Sequence, residues 1–165
     1  RIANVQDGYL DLSKPKYVAL DESTRRFELK EGDILTSLTG NIGRVARVEL
    51  SHLPAALNQR VARIWPKPEA KVVPDFLLLF LLSKRFYSFL QERAHGAAQA
   101  NVSPATIGDV PFALPSEGEQ QRIVELMDQV TRMRLDLVDH YRSSLDDLDD
   151  LGQSLLQRAF SGELN

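Results

Sequence analysis

Three short stretches of the chain hold side chains able to pair with the edges of nucleic-acid bases. Ser37, Thr39, Asn41 and Arg44 lie within eight residues of one another, and Asn58-Gln59-Arg60 stand side by side. Gln99 and Asn101 belong to a run whose other members, Gly96, Ala97, Ala98 and Ala100, are small enough to let the backbone approach a groove. Arginine offers two parallel donors that match guanine, and the amides of Asn and Gln match adenine. Lysine, arginine and small hydroxyls suit phosphate oxygens. Lys14, Lys16, Arg25, Arg47, Arg63, Lys84 and Arg85 are the basic residues expected in that second role. Each candidate also has a plainer use. Asn41 suits a turn, Asn58 and Gln59 can satisfy neighbouring backbone groups, and Gln99 and Asn101 can anchor their own loop. His95 fits a structural or surface position better than a reading one.

Catalytic chemistry finds little support. Thr39-Gly40-Asn41-Ile42-Gly43 has too few glycines, at the wrong spacing, for a dinucleotide or phosphate loop. There is no Gly-x-Ser-x-Gly elbow. The Asn-Pro-Pro-Tyr and Pro-Cys motifs of methyl transfer to DNA are also missing. Asp33 and Glu49 qualify for a nuclease cluster by residue type alone. Asp146, Asp147, Asp149 and Asp150 read as a solvated helix face. With no cysteine, disulfides, thiolate catalysis and cysteine-bound zinc are excluded. His52, His95 and His140 are far apart in sequence, so no metal site and no cofactor of the chain's own is expected.

The elements that must carry these residues fall into two parts. Hydrophobic residues make up 43% and charged residues 26%, a balance that supports a packed core. Residues 1–116 hold 15 Lys and Arg against 12 Asp and Glu, a balance of +3; residues 117–165 hold 5 against 11, a balance of −6. Such asymmetry hints at separate roles. The longest apolar run, Phe76 to Leu82, is seven residues, far short of the roughly 20 that span a bilayer. A soluble cytoplasmic protein with no membrane partner is expected. Because Arg1 is not a methionine, a fragment of a longer chain is expected as well.

In the first part, strands are expected at 27–29, 33–38, 44–48, 62–65 and 107–114. Asp7-Gly8-Tyr9 reads as a tight turn and Thr39-Gly40-Asn41 as a hairpin tip. Pro74-Asp75 opens a helix expected to run to about Ala94. The seam lies at Leu114-Pro115-Ser116, where Ser116 and Glu119 have capping-box spacing. Beyond it no proline occurs. Apolar residues then recur at Ile123, Leu126, Val130, Met133 and Leu137, the alternating three and four of a coiled-coil seam. The phase shifts at Tyr141 and resumes through Leu145, Leu148 and Leu155, like a stutter. Gly162 suits the stop. A helix of about 45 residues would extend on the order of 65 Å. It is too long to bury its whole seam on a domain of this size, so part of the seam requires another helix. A bent helix folded back on its own domain is the plainer alternative.

Four stretches resemble the specificity subunit of type I restriction-modification enzymes. They are Arg1 to Leu12; Leu29-Lys30-Glu31-Gly32-Asp33-Ile34-Leu35 with Thr39-Gly40-Asn41-Ile42-Gly43-Arg44; Ile107 to Pro115 with Glu119-Gln120-Gln121-Arg122-Ile123-Val124; and Leu155 to Leu164. The Glu-Gln-x-x-Ile-Val start and the Ala-Phe-Ser-Gly-Glu-Leu ending of the helix are specific in combination. The resemblance implies two recognition domains per full subunit, each reading half of a bipartite target in double-stranded DNA, held apart by an antiparallel pair of long helices that act as a ruler. It implies methyltransferase subunits bringing S-adenosylmethionine, and a restriction subunit, with its ATP and Mg, joining for cleavage. The chain matches one half, and its ending points to the C-terminal one, with the opening of the recognition domain lying before Arg1.

The expected architecture is therefore α+β. A small mixed α/β target-recognition domain over 1–115 precedes one long helix over 116–165, which forms a coiled coil with a second specificity half or a second copy of the chain. The role expected is non-catalytic DNA recognition. A coiled-coil adaptor that binds protein and no DNA is the alternative, and a stand-alone nuclease or methyltransferase a third.

Overall fold

The structure is a computed structural model that describes residues 1–19, 21–94 and 101–162. It is mixed α/β, with two compact units, Arg1–Gln121 and Arg122–Asn165. The first is built on a three-stranded antiparallel sheet of order β2-β1-β3: β1 (Ile34–Ser37), β2 (Val45–Arg47) and β3 (Val61–Ile64). Leu35 stands opposite Ala46 on one side and Arg63 on the other.

β1 is central, and all four of its residues are buried. Successive side chains of a strand point to opposite faces, so a central strand covered on both sides serves two cores. Ile34 and Val45 join Ile42, Leu77, Leu81, Phe86 and Leu90 on one face. Leu35, Ala46 and Val61 join Val5, Leu29 and Val48 on the other. The expected strand at 27–29 contributes a single bridge, Glu28 to Ala56, rather than a ladder.

The helical face comes from α2 (Pro74–Leu81) and α3 (Lys84–Ala94). The single helix expected over 74–94 is thus broken in two. Ser83 breaks it: its N–H bonds Phe80 O at 3.0 Å, while its hydroxyl accepts the Phe86 N–H at 3.4 Å. A serine hydroxyl competing for backbone donors favours a new helix start over continuation. The expected strand at 107–114 also fails to form. Ser103 accepts the Thr106 N–H at 3.2 Å and Pro104 occupies the first turn, so α4 (Pro104–Gly108) begins instead. The apolar residues behind that expectation pack without a ladder. Phe112 lies 4.6 Å from Phe80 and 5.8 Å from Phe76, ring centre to ring centre, over α2.

α5 (Glu117–Ser161) is one continuous helix of 45 residues. Of the capping box, the Ser116 arm forms, its hydroxyl accepting the Glu119 N–H at 3.4 Å. The stronger anchor is Gln120, which is 1% exposed. Its Oε1 accepts the Val73 N–H at 2.8 Å, and its Nε2 donates to Pro115 O at 2.9 Å and Lys71 O at 3.2 Å. From Arg122 onward the apolar residues of the helix are mostly exposed. Ile123 is half-buried, while Leu126, Val130, Met133, Leu137, Tyr141, Leu145, Leu148 and Leu155 all face solvent.

Replacing Gln120 by Ala strands one amide and two carbonyls, each worth about 1–3 kcal/mol when buried and unpaired. Partial rehydration of the site brings the expected loss of stability to about 3 kcal/mol, read as a lower urea midpoint at unchanged slope. Gln120→Glu keeps an acceptor for Val73 but turns a carboxylate oxygen on two carbonyls, and should do no better. A midpoint within about 0.5 kcal/mol of the parent for both variants would show that the clamp is not needed.

Candidate nucleic-acid interface

Both neighbours of β1 run antiparallel to it, so β1 ends where β2 and β3 begin. Ser37 faces Val61, and Thr36 faces Val45. The connections at that end of the sheet carry the three polar stretches, and backbone hydrogen bonds tie them together. Leu38 N–H donates to Arg60 O at 3.0 Å, and Val102 N–H donates to Leu38 O at 2.9 Å. Thr39 bridges to Asn101. Residues far apart in the chain thus share one rim: Thr39, Asn41 and Arg44 from the β1–β2 loop, Asn58, Gln59 and Arg60 before β3, and Asn101 before α4. Gln99 and His95 lie outside the described residues.

The β1–β2 loop is shaped from within. Ser37 is 1% exposed, so its hydroxyl serves the loop; it donates to Asn41 O and accepts the Arg44 N–H at 3.1 Å. Gly43 has φ +83°, and a Cβ there would stand 3.4 Å from the Tyr87 ring, so the backbone presses close to α3 in a conformation that favours glycine. Ile42 is buried beneath, and its carbonyl accepts from Gln91 Nε2 at 3.1 Å. The side chains left at the surface are polar: Asn41 and Asn101 are exposed, and Thr39 and Arg44 are half-buried.

Arg44 has a partner that sequence reading misses. Its Nη1 donates to Gln6 Oε1 at 2.6 Å, and Gln6 Nε2 donates to Ala3 O at 2.9 Å. Gln6 arrives because the turn after it is sewn to the start of β2, Gly8 N–H to Val45 O at 2.8 Å. The signal available was the Asp7-Gly8-Tyr9 turn, which places Gln6 at a bend but names no partner. Before β3, Asn58 Oδ1 accepts the Arg60 N–H at 3.1 Å, a local turn bond that leaves the side chains of Gln59 and Arg60 exposed.

The residues expected to meet phosphates are not gathered here. Lys14 and Lys16 lie on the exposed segment 12–19. Arg47 pairs with Asp75 at the start of α2. Lys84 and Arg85 are on the first turn of α3, Lys84 and Arg85 both at the surface. Arg25 and Arg63 lie toward the opposite end of the sheet, in a depression also lined by Arg26, Glu28, Lys30, Asp33 and Trp65. Arg63 is occupied within it, donating to Glu28 O at 3.1 Å and Asp33 Oδ2 at 3.2 Å, with its guanidinium 5.1 Å from the Trp65 ring centre. Arg25 closes the short helix α1 (Glu22–Arg25), capped by Asp21. The Ser23 hydroxyl and the Thr24 N–H on that carboxylate hold its pKa below the ordinary value.

Among the described residues no group of His, Asp or Glu is arranged to hold a metal ion. Among the same residues no helix is long and apolar enough to cross a membrane.

A family model described as the type I restriction modification DNA specificity domain matches residues 15–145. The type I restriction enzyme EcoBI specificity subunit of Escherichia coli is 29% identical over 167 residues, an alignment that takes in 99% of this chain and 35% of that protein. A solved structure described as "Structural basis underlying complex assembly and conformational transition of the type I R-M system" superposes on 96% of this chain and 36% of its own, with a TM-score of 0.59 and 20% identity. That likeness is one of fold. The chain spans about a third of the length of either relative. With most of its residues inside the family model, the chain belongs to the type I restriction modification DNA specificity domain family.

Proposed function

We propose that the chain is the DNA-reading module of a type I specificity subunit, taking one half of a bipartite target with the rim at the Ser37 end of its sheet. The observation that carries this is the convergence of three separate polar stretches, with Thr39, Asn41, Arg44, Arg60 and Asn101 presented from a framework with a buried core beneath them. Base reading needs side chains of this type on rigid supports. The outlying basic residues Lys14, Lys16, Arg25, Lys84 and Arg85 supply the contacts to phosphate. The module performs no chemistry. Methyltransferase subunits dock on the full specificity subunit and bring S-adenosylmethionine, and a restriction subunit joins for cleavage with ATP and Mg.

The long helix supplies the spacer. Its seam from Leu126 to Leu155 is exposed within the chain, and burying one such leucine contributes roughly 1.5–3 kcal/mol. Most helical stability in proteins comes from packing an apolar face rather than from intrinsic propensity. The seam therefore pairs with a second helix, from the other specificity half or from another copy of this chain, and the acidic face with Asp146, Asp147, Asp149 and Asp150 stays in solvent.

Two outcomes are expected. Binding to target DNA should weaken with salt, by on the order of 40-fold between about 50 and 200 mM if three phosphates are neutralised. Arg60→Ala should relax preference at one base pair by roughly 1–3 kcal/mol, measured by methylation mapping with the methyltransferase subunits co-expressed. Salt-independent binding, or a motif blind to Arg60 and Asn101 alike, would favour a protein-binding adaptor instead. For the helix, Leu145→Asp with Leu148→Asp should abolish assembly in sedimentation and reduce helical circular dichroism. Unchanged mass and helicity would remove the coiled coil.

A further inference from the structure

The Arg44 guanidinium is held from two directions. Gln6 Oε1 takes Nη1 at 2.6 Å. The Asn41 amide, turned so that donors meet acceptors, places its oxygen 3.2 Å from both Nη1 and Nη2. A guanidinium carries five N–H groups in one plane. An oxygen equidistant from the two Nη atoms sits off the end of that plane and takes the hydrogens pointing along it. Gln6 engages Nη1 again. The edge left without a partner among the described residues is the other one, Nε–H together with the second N–H of Nη2. Those two donors are parallel, and they match two acceptors side by side: O6 and N7 of guanine in the major groove, or two oxygens of a phosphate.

Two features favour the base. Fixing the plane of an arginine with two amides sacrifices rotamer freedom, which serves a bidentate contact of strict geometry and gains little for a cation facing a diffuse backbone charge. The company is also wrong for a phosphate track. Arg44 is met by Gln6 and Asn41, and of the rim residues that the backbone bonds bring together, Thr39, Asn101 and Arg60, only Arg60 adds a second positive charge. The contacts to phosphate fall instead to the basic residues elsewhere on the domain, Lys14, Lys16, Arg25, Lys84 and Arg85.

We propose that Arg44 reads a guanine through Nε and Nη2, and that Gln6 and Asn41 are positioning residues that fix its plane; this rests on the DNA-reading function proposed above. The test is the genomic methylation motif in cells expressing the full specificity subunit that carries this chain, with its methyltransferase subunits. The parent motif contains a G·C pair whose identity is lost in Arg44→Ala, preference there falling on the order of 10- to 100-fold while the other positions hold. Arg44→Lys, which keeps the charge but not the fork, gives the same loss. Gln6→Ala weakens preference at that same pair at a matched urea midpoint, and Gln6→Glu, whose carboxylate holds Nη1 but answers the charge as Asp33 does for Arg63, fails to restore it.

Several results overturn the proposal. Arg44→Ala and Arg44→Lys could lower methylation evenly over all sites with the motif intact, which is the signature of a phosphate contact. They could relax an A·T pair, or change nothing. A Gln6→Ala motif identical to the parent's removes the positioning role. A parent complex that methylates no defined motif defeats the DNA-reading function itself, whereas an intact parent motif indifferent to Arg44 defeats the guanine assignment alone.

Discussion

Gln120 holds together two pieces of backbone that no ladder joins, through three backbone groups. The N–H of Val73 at the head of α2, the carbonyl of Lys71 in the turn before it, and the carbonyl of Pro115 before α5 all bond to one buried amide. A side chain with one acceptor and two donors fits this set, and no other residue type of that length offers both. Lysine lacks the acceptor, glutamate lacks the donors, and methionine leaves all three groups unsatisfied. The glutamine of the Glu-Gln-x-x-Ile-Val start of the long helix therefore has a physical reason. It makes the first turn of α5 part of the domain that holds the polar rim.

Beyond that turn the helix is under the opposite constraint. Within the second unit, side chains from Leu126 to Leu155 repeat at coiled-coil spacing yet remain open to water. A stretch that long with a polar remainder has neither a core of its own nor enough intrinsic propensity to stand firmly alone. The change of phase at Tyr141 bears on what the partner must be. A seam that slips by one residue pairs well with a helix that carries a compensating slip at the facing level. In an antiparallel pair the stutter would face its counterpart only where the two helices cross in register, so the irregularity constrains alignment as well as association.

Local features of this architecture were legible in the sequence. The capped start, the heptad seam, the glycine stop and the hairpin tip each depend on residues within a few positions of one another. The failures came where two local signals competed. Ser103-Pro104 is a helix start, and the apolar residues from Ile107 to Leu114 outweighed it. In the structure Ile107, Val110 and Phe112 are taken up in packing against the core that holds α2, and Leu114 is exposed. Ser83 was hidden likewise inside a run with helical composition at both ends. The polar rim was legible only as three separate clusters. Backbone contacts such as Leu38 with Arg60 and Thr39 with Asn101 join them, and no pattern within one segment encodes those.

The two ends of the sheet show how similar residues acquire different duties. Arg63 and Arg44 are both half-buried arginines beside the same sheet. At one end Arg63 finds a carboxylate, a carbonyl and the face of Trp65, and its charge is largely answered from inside. At the other, Arg44 finds neutral amides and no carboxylate among the described residues. Amide oxygens orient a guanidinium without cancelling its charge, so Arg44 keeps both a fixed direction and an unanswered positive potential. An internal ion pair stabilises a fold and has little left to offer a ligand. An oriented cation held by neutral groups is poised for an external acceptor, and that difference in partners, rather than the residue type, separates a structural arginine from a reading one.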